Sequence, residues 1–447
     1  MSIKQINLDE FVQNFEVSNH NKVYYGEVRT DFILINRILD LIPNSLFYLP
    51  YKKWLDPCCG NGYFMMCLYK KLFNTLSTSF PDEDKRHTHI ITNMLYMIDI
   101  NDEHIEPLKN MFGNNANIIN EDFLQYNAED LNIDIIIANP PYNFPNKSTA
   151  IWHLFFNKFI HIIPDNGHLA VIIPSIWLKN SHTLNNFINQ FHISALHTMD
   201  STETNQIFHY KAQTPTTYFH LQKKPSNNFI KVYDESLKMY IQYHTIYSIP
   251  MKNQQFLMSL KSYVKNSYIK PVKTNLDIGY RNKTTKFSNT KTNIYKYKNI
   301  RSCILDNNNP VLKINYSDKP CSFYGQPKII LSHKMFGIPY YDVDGSYGIP
   351  TKDNYVILNK SHEDFLKLQI MFNSKSIRHI FNSFRYRMSN IEKDTFEFIP
   401  DLSLLKDIDW DCFDSSLLLL NWNIGLDQYN IINKYSLPTK KFLEKYI

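Results

Sequence analysis

The chain has 447 residues, 43% hydrophobic and 20% charged, which supplies material for a large core in two or three domains and excludes a disordered composition. No apolar stretch reaches the roughly 18 residues of a membrane span, and the N-terminus lacks the charged-then-apolar form of a signal peptide, so a soluble, cytoplasmic protein with no membrane partner is expected. The net charge of +6 is local: between Lys252 and Lys328 there are 15 Lys+Arg against three acids, and elsewhere 33 against 39, the footprint of a polyanion-binding segment on a mildly acidic body.

From Lys53 to about Gln222 short β-like runs alternate with helical stretches. Strands are predicted over Lys53–Asp56, Leu95–Ile100, Asn117–Asn120, Ile133–Ala138, His168–Pro174, Ile193–Asp200 and Thr216–Gln222. Helices are predicted over Thr30–Leu41, Gly62–Asn74, Glu103–Met111, Thr149–Ile163 and Ser181–Asn189, with the polar stretch Thr75–His89 expected as a surface loop. This alternation argues for an α/β fold with a doubly wound, mostly parallel sheet. After Lys223-Lys224-Pro225-Ser226 the rhythm becomes irregular, with a hairpin signal at Asp344-Gly345 and a helix expected around Glu363–Phe384. A domain boundary is expected between residues 224 and 225. The six cysteines form no Cys-x-x-Cys pair, and no metal site is expected.

The chemistry-bearing residues fall at the carboxyl ends of successive predicted strands. The first βα turn reads Asp56-Pro57-Cys58-Cys59-Gly60-Asn61-Gly62. Glycines there admit a ligand close to the backbone, and the leading carboxylate suits an amine better than a phosphate. Asp99 and Ile100 end the second strand, where an acid can hold a ribose diol. Asp122 and Phe123 follow the third, an acceptor for an exocyclic amine and a ring for a base plane. The fourth strand stops abruptly at Asn139-Pro140-Pro141-Tyr142, because proline has no N–H for a ladder.

Together, Asp-Pro-Cys-Cys-Gly-Asn-Gly and Asn-Pro-Pro-Tyr resemble the gamma-class N6-adenine DNA methyltransferases of restriction-modification systems. Upstream, Tyr25-Gly26-Glu27-Val28-Arg29-Thr30-Asp31 resembles that family's Gly-Glu-Val-Phe-Thr-Pro. Thr30 is kept, Arg29 and Asp31 replace an aromatic and a proline, and Cys58 and Asn61 stand where Ala and Ser are common. The resemblance implies a Rossmann-like methyltransferase domain over residues 1–224 and an α+β target-recognition domain over 225–447. It implies S-adenosyl-L-methionine as cofactor, held by Thr30, Asp56, Pro57, Cys58, Gly60, Gly62, Asp99, Ile100, Asp122 and Phe123.

The same resemblance makes Asn139, Pro140, Pro141 and Tyr142 catalytic. It implies a flipped-out adenine, stacked on Tyr142 and on Phe208, with Tyr210 close to the same position. The implied partner is double-stranded DNA with a specific adenine-containing site, bound by a monomer. A separate cognate restriction endonuclease is left open. Basic and aromatic residues mix over Lys261–Arg301, where 11 Lys+Arg face one acid, which suits phosphate contacts. The alternatives are an RNA or protein-glutamine N-methyltransferase with the same tetrapeptide, or a catalytically silent DNA-binding relative.

Overall fold

The computed structural model describes residues 2–411, apart from 9, 12–15, 19, 22–26, 145–146, 148, 265–267, 274–284, 307–308, 334–338, 388–389 and 405–408. Tyr25 and Gly26, and Lys265, Tyr280, Arg281 and Lys283 of the basic segment, therefore lie outside the described residues. The chain divides into two compact units, Met1–Tyr247 and Ser248–Ile447.

The first unit is built on a nine-stranded sheet. Its strands are β1 (Trp54–Asp56), β2 (Leu95–Asp99), β3 (Asn117–Asn120), β4 (Ile135–Ala138), β5 (His168–Pro174), β6 (Phe191–Met199), β7 (Thr216–Pro225), β8 (Phe229–Asp234) and β9 (Met239–His244), in the spatial order 3-2-1-4-5-7-6-8-9. Strands β1 to β5 run parallel, and β7 enters antiparallel between β5 and β6. The strand order reverses at β1, which lies between β2 and β4. Such a reversal opens a crevice at the strands' carboxyl ends.

Helices cover both faces, and the strands show it in their burial. All four residues of β4 are buried, as expected for a parallel strand with two apolar faces. Ile135 and Ile137 join a core shared with α1 (Phe32–Leu39), α2 (Tyr63–Thr75) and α4 (Ile105–Phe112), which follows the short α3 (Glu83–His89). On β7 Tyr218 joins the same core, whereas the neighbouring Phe219 lies 6.3 Å from Phe156 of α5 (Trp152–Ile162). This period of two places α5 on the opposite face. Two further helices, α6 (Thr183–Asn189) and α7 (Ser201–Ile207), complete the unit.

Four sequence expectations change. Within Thr75–His89, residues Glu83–His89 are helical: Asp82 caps Asp84 and Lys85, and Arg86 is buried with its guanidinium 4.0 Å from the Phe73 ring centre. Burial through a charged side chain hides the helix from an apolar-periodicity reading. The expected helix over Glu363–Phe384 is two, α9 (His362–Asn373) and α10 (Lys375–Ser383), because Ser374 is extended and caps Ile377. Asp344-Gly345 does form a turn, with Gly345 at φ +68, but it makes no hairpin. Both flanking strands, Pro339–Asp342 and Asn354–Ile357, pair instead with the strand Lys328–Ser332. Finally, the units part after Tyr247 rather than at 224, since the β8–β9 hairpin extends the first sheet, with Val232 beside Leu196 of β6.

The second unit opens with α8 (Gln254–Val264) and holds two small sheets. One contains β10 (Val272–Lys273), β14 (Lys328–Ser332), β15 (Pro339–Asp342) and β16 (Asn354–Ile357), and the other β11 (Phe287–Ser288), β12 (Tyr297–Asp306) and β13 (Asn309–Ser317). Lys328 is fully buried, and its ammonium donates to Asp342 at 2.5 Å and to the Phe323 and Gln326 carbonyls at 2.9 Å, so the charge is paired and saturated.

Candidate active site

The carboxyl ends of β1, β2 and β4 bring three predicted segments together. Asp56 ends β1 and is 1% exposed, its Oδ1 accepting from the Cys58 N–H at 3.2 Å. Burial pushes its carboxyl up to about 8; the Cys58 N–H offsets part of this and the nearby Asp99 adds to it. The loop then turns through Gly60 at φ +51 and Gly62 at φ +78. A methyl group at Gly62 would lie 2.6 Å from Leu108 Cδ2, whereas one at Gly60 would meet no heavy atom within 4 Å. Gly62 is thus required by packing, and Gly60 leaves an open cradle over the backbone.

Asp99 ends β2 and draws the loop toward it. Its Oδ2 accepts from Gly60 N at 2.6 Å, and its Oδ1 from Asn101 N at 2.9 Å. Ile100 beside it is 52% exposed, an apolar shelf at the strand end. At the end of β4, the Asn139 Nδ2 donates to Thr30 Oγ1 at 3.0 Å, and the Cys58 thiol donates to the Asn139 carbonyl at 3.5 Å. Thr30 is buried, so a segment from the start of the chain orients the Asn139 amide. With Nδ2 so used, Oδ1 has no partner among the described residues. Among the described residues the buried Tyr142 hydroxyl has no hydrogen-bond partner, and burial raises its phenol well above the usual range.

Asp122 and two predicted rings also make local contacts. Asp122 caps its own turn, accepting from Leu124 N at 2.9 Å. Phe123 is 2% exposed and stacks on Phe155 at 5.8 Å, so its ring belongs to the packing of α5 and offers no free face. Lys158 of α5 locks this loop by donating to the Phe123 and Tyr126 carbonyls at 2.6 Å. Phe208 is 1% exposed and lies in the core with Met199 and Tyr218. The exposed ring is Tyr210, at 76%, thrown outward by successive left-handed residues His209 and Tyr210 at φ 49 and 64. His209 ties this turn to Asp31 through a 2.9 Å contact.

Sequence reasoning missed Lys158, Asn101 and His104. None belongs to a motif: Lys158 reaches the Phe123 and Tyr126 carbonyls and His104 reaches Glu27 across the sequence, whereas Asn101 acts locally through Asp99 and Glu103. Among the described residues, no group of three or more His, Cys, Asp or Glu could hold a metal, and no helix is long and apolar enough to cross a membrane.

Residues 63–208 match the family described as Eco57I restriction-modification methylase. This stretch is similar to restriction-modification methylases. The match takes in Asp99, Asp122, Asn139–Tyr142 and Phe208, and begins just after the Asp56–Gly62 loop. An uncharacterized adenine-specific methylase of Mycoplasma pneumoniae is 26% identical, over 36% of this chain and 58% of that protein. The EcoEI type I restriction enzyme methylase subunit of Escherichia coli is 22% identical, over 37% of this chain and 35% of that protein. The chain thus spans less than two thirds of the length of either relative. Among solved structures, the type IIL restriction-modification enzyme MmeI in complex with DNA is similar with a TM-score of 0.48 and 11% identity, over 96% of this chain and 75% of that one.

Proposed function

We propose that this chain belongs to a site-specific DNA methyltransferase that modifies the N6 amine of adenine with S-adenosyl-L-methionine as donor. The observation that carries the reading is the Asn139 amide: its nitrogen is held by Thr30, which leaves its oxygen as an oriented acceptor at the end of β4. The residues present fit the cofactor. The cradle above Gly60, the buried carboxyl of Asp56, the acid at Asp99 and the exposed Ile100 suit in turn a close-lying chain, an ammonium, a ribose and an adenine plane.

When bound, S-adenosyl-L-methionine supplies the methyl group from a sulfonium. The protein's own part is positioning and electrostatics. An adenine amine is a weak nucleophile because its lone pair is delocalised into the ring. Asn139 Oδ1 and the Pro140 carbonyl accept its two N–H bonds and so favour the more tetrahedral nitrogen that attacks. Consecutive prolines fix that carbonyl and present no N–H to repel the amine. Tyr142 stacks on the base, and Tyr210 supplies the accessible ring on the other segment; such faces compensate for the stacking an extruded base loses. DNA is favoured as substrate by the basic stretch, where Lys296, Arg301 and Lys313 are exposed and the Lys298 ammonium lies 4.5 Å from the Tyr347 ring centre.

Purified protein with labelled S-adenosyl-L-methionine is expected to methylate adenine in DNA. Asn139→Ala is expected to lower transfer by at least about 100-fold while leaving cofactor affinity within about twofold. Transfer to RNA or to protein glutamine, with none to DNA, would replace the substrate class. Cofactor binding with no transfer to any of the three would identify a silent relative.

A further inference from the structure

His104 is a buried titratable group that the reading above leaves unused. Its side chain is 7% exposed, with Nδ1 3.2 Å from Asp99 Oδ1 and Nε2 3.5 Å from Glu27 Oε2. Both ring nitrogens therefore face carboxylates, and only the imidazolium can offer a proton to each. Glu27 also accepts from Arg29 Nε at 3.2 Å. With its amide oxygen turned to the guanidinium, Asn61 accepts from Arg29 at 2.9 and 3.0 Å. Arg29 and Asn61 are two of the positions at which this chain departs from the family pattern, and they meet each other.

The result is a closed chain of contacts from the 27–30 segment through Asn61 to the cofactor loop, and through His104 to Asp99 and back to Gly60 N. Its charged members are Glu27 and Asp99 against Arg29 and His104, so it is neutral only while the imidazole is protonated. Asp56 adds negative charge beyond Asp99 when ionised. On the histidine's own turn and helix, Asp102, Glu103 and Glu106 are exposed, and Glu103 accepts from Asn21. Burial pushes the ring downward, but the hydrogen bonds and charges of Asp99 and Glu27 outweigh it and hold His104 up at about 9. Burial pushes the Glu27 carboxyl upward, but His104 and Arg29 outweigh it and hold it below the usual carboxylate range.

We propose that His104, as an imidazolium, is the positioning residue that aims the Asp99 carboxylate and clasps the 27–30 segment onto the cofactor loop, making cofactor affinity depend on one proton at this ring. This rests on the reading of Asp99 as the ribose ligand. Because the charged ring is the clasping form, affinity is held at neutral pH and lost as pH rises through about 9.

The test uses the full-length protein and two ligands, S-adenosyl-L-methionine and 5′-methylthioadenosine. The second has the nucleoside without the amino acid, which removes the ligand amine's own titration. Calorimetric dissociation constants between pH 7 and 10 are paired with an NMR titration of 13C-labelled histidine. The wild type should weaken above pH 9 for both ligands. His104→Gln should bind on the order of tenfold more weakly at pH 7, the scale for groups that orient a ligand-holding side chain, with no alkaline limb. Glu27→Gln should shift both the His104 titration and the limb to lower pH. Wild-type-like affinity in His104→Gln, or a ring already neutral at pH 7, overturns the proposal alone. Absence of binding by the wild type at every pH overturns the cofactor reading and the proposal with it, while the His104 titration still reports whether the clasp exists.

Discussion

Asp56 is a carboxyl that burial keeps largely protonated at neutral pH, with its folded value near 8. A group raised in this way favours the folded state below its unfolded value near 3.8 and loses that advantage as pH climbs to about 8. A cationic ammonium beside it reverses the preference, because an opposite charge stabilises the ionised form. Binding of S-adenosyl-L-methionine at pH 7 is therefore expected to release about one proton through this residue. Titration calorimetry in buffers of different ionisation enthalpy reads that number directly. Asp56→Asn should abolish the release and weaken binding, and a wild-type value of zero would remove the ammonium from Asp56. His104, whose value is likewise raised, has the same sign in the apo protein but a higher pH window. Its contribution to stability is complete below about 6.5 and is lost as pH rises through about 9.

At the scale of elements, the turn from β1 into α2 decides how the site is built. Gly62 has a left-handed φ and a Leu108 methyl where its side chain would go, so Gly62→Ala meets both strain and crowding. It is expected to cost about 1–3 kcal/mol, read as a lower urea midpoint at unchanged slope. Much of this level was legible in the sequence. The alternation from Lys53 to Gln222 placed β1 to β5 and their helices, and the strand-end acids pointed to one edge of the sheet. What escaped was set by partners rather than by pattern. Glu83–His89 buries an arginine instead of an apolar stripe, Ser374 breaks a helix that periodicity carries through, and His104 gains its role from carboxylates that only folding brings near. The rings at Phe123 and Phe208 mark the same boundary. A motif locates a segment, but whether its ring faces core or solvent depends on φ at neighbouring positions and on what α5 offers to pack against.

For the whole molecule, the division after Tyr247 makes β8 and β9 part of the first unit's sheet. A fragment ending at residue 247 keeps β6 covered, whereas one ending at 224 leaves its edge open for pairing with another chain. The longer fragment is expected to stay monodisperse in size-exclusion chromatography and to melt cooperatively, and the shorter one to aggregate. Equal behaviour of the two would mean that the hairpin is dispensable to this unit. If the longer fragment binds S-adenosyl-L-methionine but not DNA, the recognition surface lies after residue 247.

The hydrogen bond from Asn139 to Thr30 joins positions 109 apart in sequence. Closing so long a loop costs chain entropy before any contact compensates for it, and contacts of this kind form late in folding. During synthesis, the first residues of the site wait through the making of four strands before the amide they orient exists. The nascent chain thus holds its Asp56–Gly62 loop long before the Asn139 amide can meet Thr30, so the acceptor proposed at Asn139 is oriented by tertiary closure rather than by secondary structure.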